Sequence, residues 1–465
     1  MLRSLVGSEM CIRDRGWDIA VGIPLPIANA ALARSHDSLV TAFDFMGEDM
    51  GQPYRLQGTF GAWSVLGGAG ELIDLALPIE AGVFTLPAGG PLPAASHTLD
   101  GAVVRLRTRL HFAEPDADSG AVSLLFAFDE LASGGAADEA IGAARLVGGP
   151  RLSPEAASIL PQAVAACLAH HFADVRFVFA TFTPHADLPV PMQPARAHSA
   201  YLAHCPAQGP GALVVLWATD RQDATGTPLP PPPAMVPEAM RIVPDCATVA
   251  LSAELAVGHV LRAALARGWE RAQDDDTLSI DANTFDCRVD ADGTTWLQAR
   301  TPIDAVIEVE GKRFGLRAKT LTLQAKGDYV TLGYHLGFKP LFIPSGIVTQ
   351  TYLARVGGHG RFGLATPGLT LEPTAQTITQ GAGTEPISLM DLRFRAGAWA
   401  EAFMRAARVP ERLKHAFELV PVPLGITLFG HALLVPQAGY LNGGILFQSA
   451  IATPAADTAG HPPAA

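Results

Sequence analysis

Strand-like runs follow one another from residue 285 to residue 336 with only short gaps between them: 285–289, 296–299, 303–309, 314–323 and 329–336. Asp292 with Gly293, and Glu310-Gly311-Lys312, are turn sequences of the hairpin kind. Parallel neighbours need a crossover of a dozen or more residues, usually a helix, and these gaps hold no such segment. This part of the chain can pair only as an antiparallel meander.

Residues 251–271, LSAELAVGHVLRAALARGWER, have the spacing of a helix. Leu251, Leu255, Leu261, Leu265 and Trp269 recur on one side, and Val257, Val260 and Ala264 widen the apolar arc beyond a surface stripe. Ser252 is placed to cap it, and Arg267 and Arg271 suit the negative end of its dipole. A second helix is expected over 153–172, opened by Ser153 and Pro154, with Ile159, Val164, Cys167, Leu168 and Phe172 on its apolar side. Pro161 predicts a kink or a later start. A short helix follows Pro26 with Ile27, Ala30 and Ala31, and another is expected over 397–419 with Trp399, Phe403, Met404, Leu413 and Phe417, broken at Pro410.

Further strands are expected at 17–23, 39–45, 54–65, 72–79, 103–111, 122–128, 175–182, 212–218, 426–435 and 444–451. Gly67, Gly68 and Gly70 separate two strands, which reads as a hairpin turn. A phosphate-cradling glycine loop would lead into a helix. Residues 134–149 read as a loop or weak helix. The order helix, long β-region, helix, strands occurs twice, as a repeat of element order without residue-level similarity. Residues 222–237, with PLPPPP inside them, are the best linker. The expected division is therefore 16–235 and 236–453, with a disordered tail at 454–465. Residues 1–15 stand apart: MCIRDR resembles the translated end of a transposon sequencing adapter, and the natural start is expected to be lost with it.

The formal net charge of −12 and the lack of a basic, aromatic-interleaved patch argue against nucleic acid. No run is long enough for an apolar transmembrane span, and no secretory signal is recognisable, so the expected location is cytoplasmic or released without one. Cys167, Cys205, Cys246 and Cys287 are too scattered for a zinc site and read as reduced core or strand residues. His170 and His171 are adjacent, point different ways on a helix and suit its C-terminal dipole. His198, His204 and Cys205 are a weak ligand set, Ser199 beside them makes no triad by adjacency, and the acidic turn 274–276 lacks the order of a calcium loop. No nucleophile elbow, zincin motif or P-loop occurs. The expectation is a protein that is not an enzyme, with no cofactor and no metal.

GWDIAVGIPLPIANAAL at the start, the FDF of Phe43 to Phe45, and GTFGAWSVLGGAGELIDLALPI from Gly58 to Ile79 resemble the clostridial forty-seven-kilodalton toxin-cluster proteins, found beside OrfX-type neurotoxin clusters. The shared pattern falls on Gly16, Trp17 and Asp18, on Gly58, Thr59, Phe60 and Trp63, and on the glycines before Leu75 to Ile79; RFVFATF and the opening of the helix after 251 look similar too. That family belongs to the tubular lipid-binding (TULIP) superfamily. The resemblance implies an α+β fold of two TULIP-like modules, each a curved antiparallel sheet wrapped around a long helix. It also implies an accessory protein that binds a lipid or another apolar small molecule in a hydrophobic groove. Ile159, Leu168 and Phe172 on one helix, and Leu255, Leu261 and Leu265 on the other, are the candidate lining. Trp17 and Trp63 are expected to be structural anchors. The alternative is an assembly subunit, partnered by proteins of a secreted or toxin-like complex, that uses the fold as a scaffold without ligand.

Overall fold

The computed structural model describes residues 17–49, 51–88, 94–132, 142–171, 177–184, 194–202, 211–219, 245–272, 281, 284–290, 294–301, 303–309, 312–326, 329–340, 355–365, 370–381, 424–430, 432–442 and 444–452. The expected linker at 222–237, the acidic turn 274–276, the helix over 397–419, the N-terminal stretch 1–15 and the tail 454–465 lie outside them, as do Phe172, His204 and Cys205. The chain forms two compact units. The first comprises Ala20–Val249, Val422–Val435 and Gln448–Ala465, and the second Met1–Ile19, Ala250–Pro421 and Pro436–Phe447.

In the first unit β1 (Ile19–Pro24) leads directly into helix α1 (Leu25–Arg34), with Pro26 in its first turn as its sequence suggests. The strands that follow are β2 (Ala42–Asp49), β3 (Gln52–Phe60), β4 (Ser64–Ala69), β5 (Leu72–Leu86), β6 (Ala95–Thr98), β7 (Ala102–Phe112) and β8 (Val122–Phe126). After the short helix α2 (Asp129–Ala132) come β9 (Ala144–Gly148), helix α3 (Pro154–His171), β10 (Val178–Pro184), β11 (Pro194–Leu202), β12 (Ala212–Thr219) and β13 (Ala247–Leu251). A distant segment adds β21 (Leu424–Leu428), which pairs with β10 from Ala180↔Leu428 to Pro184↔Leu424. The strand order then runs β21-β10-β8-β7-β5-β3-β2, with β4 and β6 on β5 and β9 on β7; all these pairs are antiparallel.

Helix α3 lies against β2, β3, β5, β7 and β9. The Ser153 hydroxyl accepts from the Ala156 N–H at 3.2 Å, the cap its sequence predicts. The helix runs unbroken through the buried Pro161, so its start is not delayed. A proline there removes one backbone hydrogen bond, and the enclosing apolar contacts on nearly every side of the helix offset that loss. Helix α1 is held to β4 by Asn29. Its amide donates to the Val65 carbonyl at 3.1 Å and its carbonyl accepts from the Val65 N–H at 2.7 Å. Asn29→Leu leaves both Val65 groups unpaired in a part-buried setting. It is expected to cost about 2 kcal/mol, read as a lowered denaturation midpoint.

Several boundaries differ from the sequence reading. The single strand expected over 54–65 is two, β3 and β4, broken at 61–63. Gly67 and Gly68 lie inside β4, and the turn falls at Gly70, whose φ of 59° only glycine adopts without strain. Part of 134–149 is strand β9, because the edge of β7 from Val103 to Leu106 offers it a partner. The strand expected over 426–435 is a hairpin, β21 and β22 (Ala432–Asn442), turning at Phe429 and Gly430.

In the second unit the Ser252 hydroxyl accepts from the Leu255 N–H at 3.2 Å, capping the expected helix. Leu251 belongs to β13 rather than to that helix. The helix itself has three parts: an α-turn α4 (Ala253–Leu255), a π segment (Ala256–Leu261) and helix α5 (Arg262–Ala272). The meander follows as β14 (Phe285–Val289), β15 (Thr295–Ala299), β16 (Ile303–Val309), β17 (Lys312–Lys326) and β18 (Tyr329–Pro340). It continues into two strands not read from the sequence, β19 (Arg355–Ala365) and β20 (Thr370–Gly381). The order is β14-β15-β17-β18-β19-β20, antiparallel throughout, with β16 on β17. Pro373 sits on β20, which ends this order among the described strands. The π segment contacts β15. The last strand, β23 (Gly444–Ala452), is divided between the two units.

Candidate ligand-binding core

The residues that carry the N-terminal resemblance meet in the first unit. Phe43 of β2 packs on Phe60 at the end of β3, ring centroids 4.4 Å apart, and Phe60 meets Trp63 edge-on at 5.9 Å. Trp63 stays in place because the chain leaves β3 at Gly61, whose N–H donates to the Pro78 carbonyl at 2.8 Å. Trp63 in turn stacks on Phe177 at 5.7 Å and contacts Phe128 at 6.1 Å. Phe128 stacks on Phe126 at 5.3 Å, and Phe126 touches Phe179 at 5.9 Å and Phe429 at 6.5 Å. A continuous path of rings thus crosses the interior from β2 to the β21–β22 turn. Edge-on and offset ring pairs add about 0.5–1.5 kcal/mol each beyond their area.

Two indoles of this unit are among its buried polar groups that lack a hydrogen-bond partner among the described residues. The indole N–H of Trp63 is buried without an acceptor, and so is that of Trp217 on β12, which packs on Phe112 and Phe182 at 5.4 and 5.1 Å. Near the C-terminal end of α3, His170 packs on Phe45 at 5.4 Å, and Tyr54 of β3 contacts Phe84 at 5.9 Å. Burial raises the Tyr54 phenol above its ordinary pKa, and the Asp49 charge adds to this. Burial pushes the Cys167 thiol up to about 12, so at neutral pH it is an inert core group.

The charged groups of the sheet neutralise one another. The buried Asp74 of β5 accepts hydrogen bonds from Arg105 and Arg107 of β7, the Arg107 Nε lying 2.8 Å away. Burial alone would raise the Asp74 carboxyl. The hydrogen bonds from Arg107 and Arg105 and their charges overcome that and hold it below the ordinary value. Arg109 pairs with Glu130 at 2.5 Å. Among the described residues no group of three or more His, Cys, Asp and Glu side chains is placed to hold a metal, and no helix is long and apolar enough to cross a membrane.

Of the candidate lining, Ile159 and Leu168 are buried in α3 of the first unit, while Leu255, Leu261 and Leu265 are buried in the helix of the second. Ile159 and Leu168 stand about half a turn out of phase at 3.6 residues per turn, so they face opposite sides of α3. Leu261 and Leu265 are four apart and share a side. The ring path was only partly readable. Its residues fall in expected strands, but Phe429 and the unpartnered indoles come from tertiary placement. The one local hint was Phe429-Gly430 standing between two apolar runs.

This is an α+β architecture in which antiparallel sheets carry buried apolar helices, as the N-terminal motifs implied. No protein-family profile and no curated protein matches the chain by sequence. Among solved structures, P47 from Clostridium botulinum A2 superimposes with a TM-score of 0.61 over 95% of this chain and 99% of that one, at 14% identity. P47 of Clostridium botulinum E1 does so with 0.60 over 94% and 99%, also at 14% identity. The chain therefore has the fold of the clostridial P47 proteins.

Proposed function

We propose that the protein is a non-catalytic carrier or sensor of a lipid or another apolar small molecule, of the toxin-cluster accessory type. The observation that carries this reading is the enclosure of α3: side chains on its opposite faces, Ile159 and Leu168, are both withdrawn from water among apolar neighbours. Such a helix can line a site on more than one side. A helix of this length spans about 27 Å at 1.5 Å per residue, enough for an acyl chain. Burying that chain at about 25 cal/mol per Å² drives binding after association costs.

Each unit has its own buried apolar helix, so the proposal places one site in each: Ile159, Leu168 and Phe172 in the first, Leu255, Leu261 and Leu265 in the second. The test is native mass spectrometry of the purified protein with organic extraction. Near-stoichiometric lipid supports a carrier and identifies its head group. An apo mass with no uptake from mixed lipids sinks the carrier reading and favours an assembly subunit. Leu261→Trp is expected to lower uptake of a fluorescent fatty acid at least about tenfold in the second unit, while overpacking costs about 1–3 kcal/mol. Unchanged uptake by the folded variant removes Leu261 from the lining.

A further inference from the structure

Two independent irregularities lie on the ring path of the first unit. The first is Trp63, 1% exposed, whose indole N–H has no acceptor among the described residues. An indole can only donate, and a buried donor without a partner is costly. Its ring neighbours Phe60, Phe128 and Phe177 offer no side-chain acceptor. The second is Phe429, which holds a φ of 51°. For a bulky residue that left-handed conformation is strained, and it persists only where the surroundings impose it. Here they do: the Phe429 N–H donates to the Phe179 carbonyl at 2.8 Å, and the ring, 3% exposed, packs on Phe179 at 5.0 Å and on Phe126. Gly430 beside it is exposed, with a φ of 73°, and nothing lies within 4 Å of where its Cβ would stand.

We infer that the aromatic core is a closed site for an acyl ester, in which the Phe429 ring holds the place of the ligand's apolar body. The hairpin turn withdraws Phe429, which releases the backbone strain. The acyl chain takes the vacated room beside Phe126 and Phe179 and extends inward past Phe128 and Phe177, where its carbonyl oxygen accepts the Trp63 indole N–H. An uncharged carbonyl fits better than a carboxylate, because no cation stands among the ring contacts of Trp63 and an unpaired charge is costly there. This deepens the carrier reading above and rests on it.

The test uses the full chain and two probes of equal chain length, methyl oleate and 1-octadecene, delivered from cyclodextrin, with occupancy read by native mass spectrometry. Trp63→Phe keeps the ring and deletes the donor. It is expected to lower methyl oleate affinity about tenfold and leave 1-octadecene unchanged. Phe429→Gly removes the ring and suits the positive φ, and is expected to raise uptake of both probes at least about tenfold. An unaltered ester-to-hydrocarbon ratio in Trp63→Phe overturns the inference, as it would if Trp63 met only an internal water. A folded Phe429→Gly that takes up no more than the parent overturns it too. If Phe429→Gly does not fold, hydrogen exchange on the parent decides: methyl oleate should deprotect the 424–430 segment at least about tenfold, and unchanged protection refutes the plug. Lipid carried by the parent with both variants silent leaves the carrier reading standing and places its site elsewhere.

Discussion

Gly58→Ala is expected to destabilise the first unit by about 3 kcal/mol or more, the cost of forcing a backbone shift in a packed core. A Cβ at Gly58 would lie 2.3 Å from the Ala81 carbonyl oxygen and 2.8 Å from the Gly82 Cα. Both are backbone atoms of β5, so no side-chain rotation relieves the clash. Relief requires parting β3 from β5 where Gly58↔Gly82 and Thr59↔Ala81 pair, beside the bulge that sets Phe60. Phe60 carries Trp63 on the ring path, so loosened pairing should appear as a change in tryptophan emission as well as a lower midpoint. Gly70→Ala is the control. Its φ of 59° is also positive, but nothing lies within 4 Å of its Cβ. It should cost only about 1 kcal/mol, the price of the left-handed backbone. Equal losses from the two variants would contradict the close-approach account.

Asp74→Ala should cost about 2–4 kcal/mol. The Asp74 side chain is 4% exposed, and its removal strands the guanidiniums of Arg105 and Arg107, which pack beside it. Losing one partner of a buried ion pair costs about 3–5 kcal/mol. These arginines are 28% and 35% exposed, so water recovers part of that. The pH dependence has a definite sign. The folded-state pKa of Asp74 is lowered, so its contribution is complete above the unfolded carboxylate value near 4 and disappears as pH falls through the depressed value. The parent should lose stability on acidification below about pH 4 more steeply than Asp74→Asn. Parallel acid profiles for the two would show that the triad adds nothing.

How far the sequence could be read depended on whether the signal was local. Ser153 and Ser252 cap their helices because the capping bond reaches only three residues on. The strands Phe285–Val289 and Ile303–Val309 fall where alternation puts them. Strand β19 gave no such alternation. Gly357, Gly358 and Gly360 stand opposite His335, Tyr334 and Leu332 of β18, and its register comes from that partner. The π segment was hidden because Ala256–Leu261 is apolar or glycine at every position but His259, so a phase shift leaves little trace in the pattern. The site was the least legible part. Phe43, Phe60 and Trp63 were marked by motif, but the path from Trp63 through Phe128 and Phe126 to Phe429 joins segments far apart in the sequence. The double hydrogen bond of Asn29 to Val65 is likewise invisible until α1 and β4 are placed side by side.

Strand β21 also bears on how the protein comes to exist. It closes one edge of β10 and delivers Phe429 to rings contributed by β8 and β10, yet it belongs to Val422–Val435, near the end of the chain. A ribosome makes about 5–20 residues each second, so the first unit waits many seconds for β21 after α3 has emerged. Through that interval β10 has a bare backbone edge and Phe126 and Phe179 lack a cover. Synthesis therefore passes through an adhesive form in which the aromatic interior is still open on the side that β21 covers.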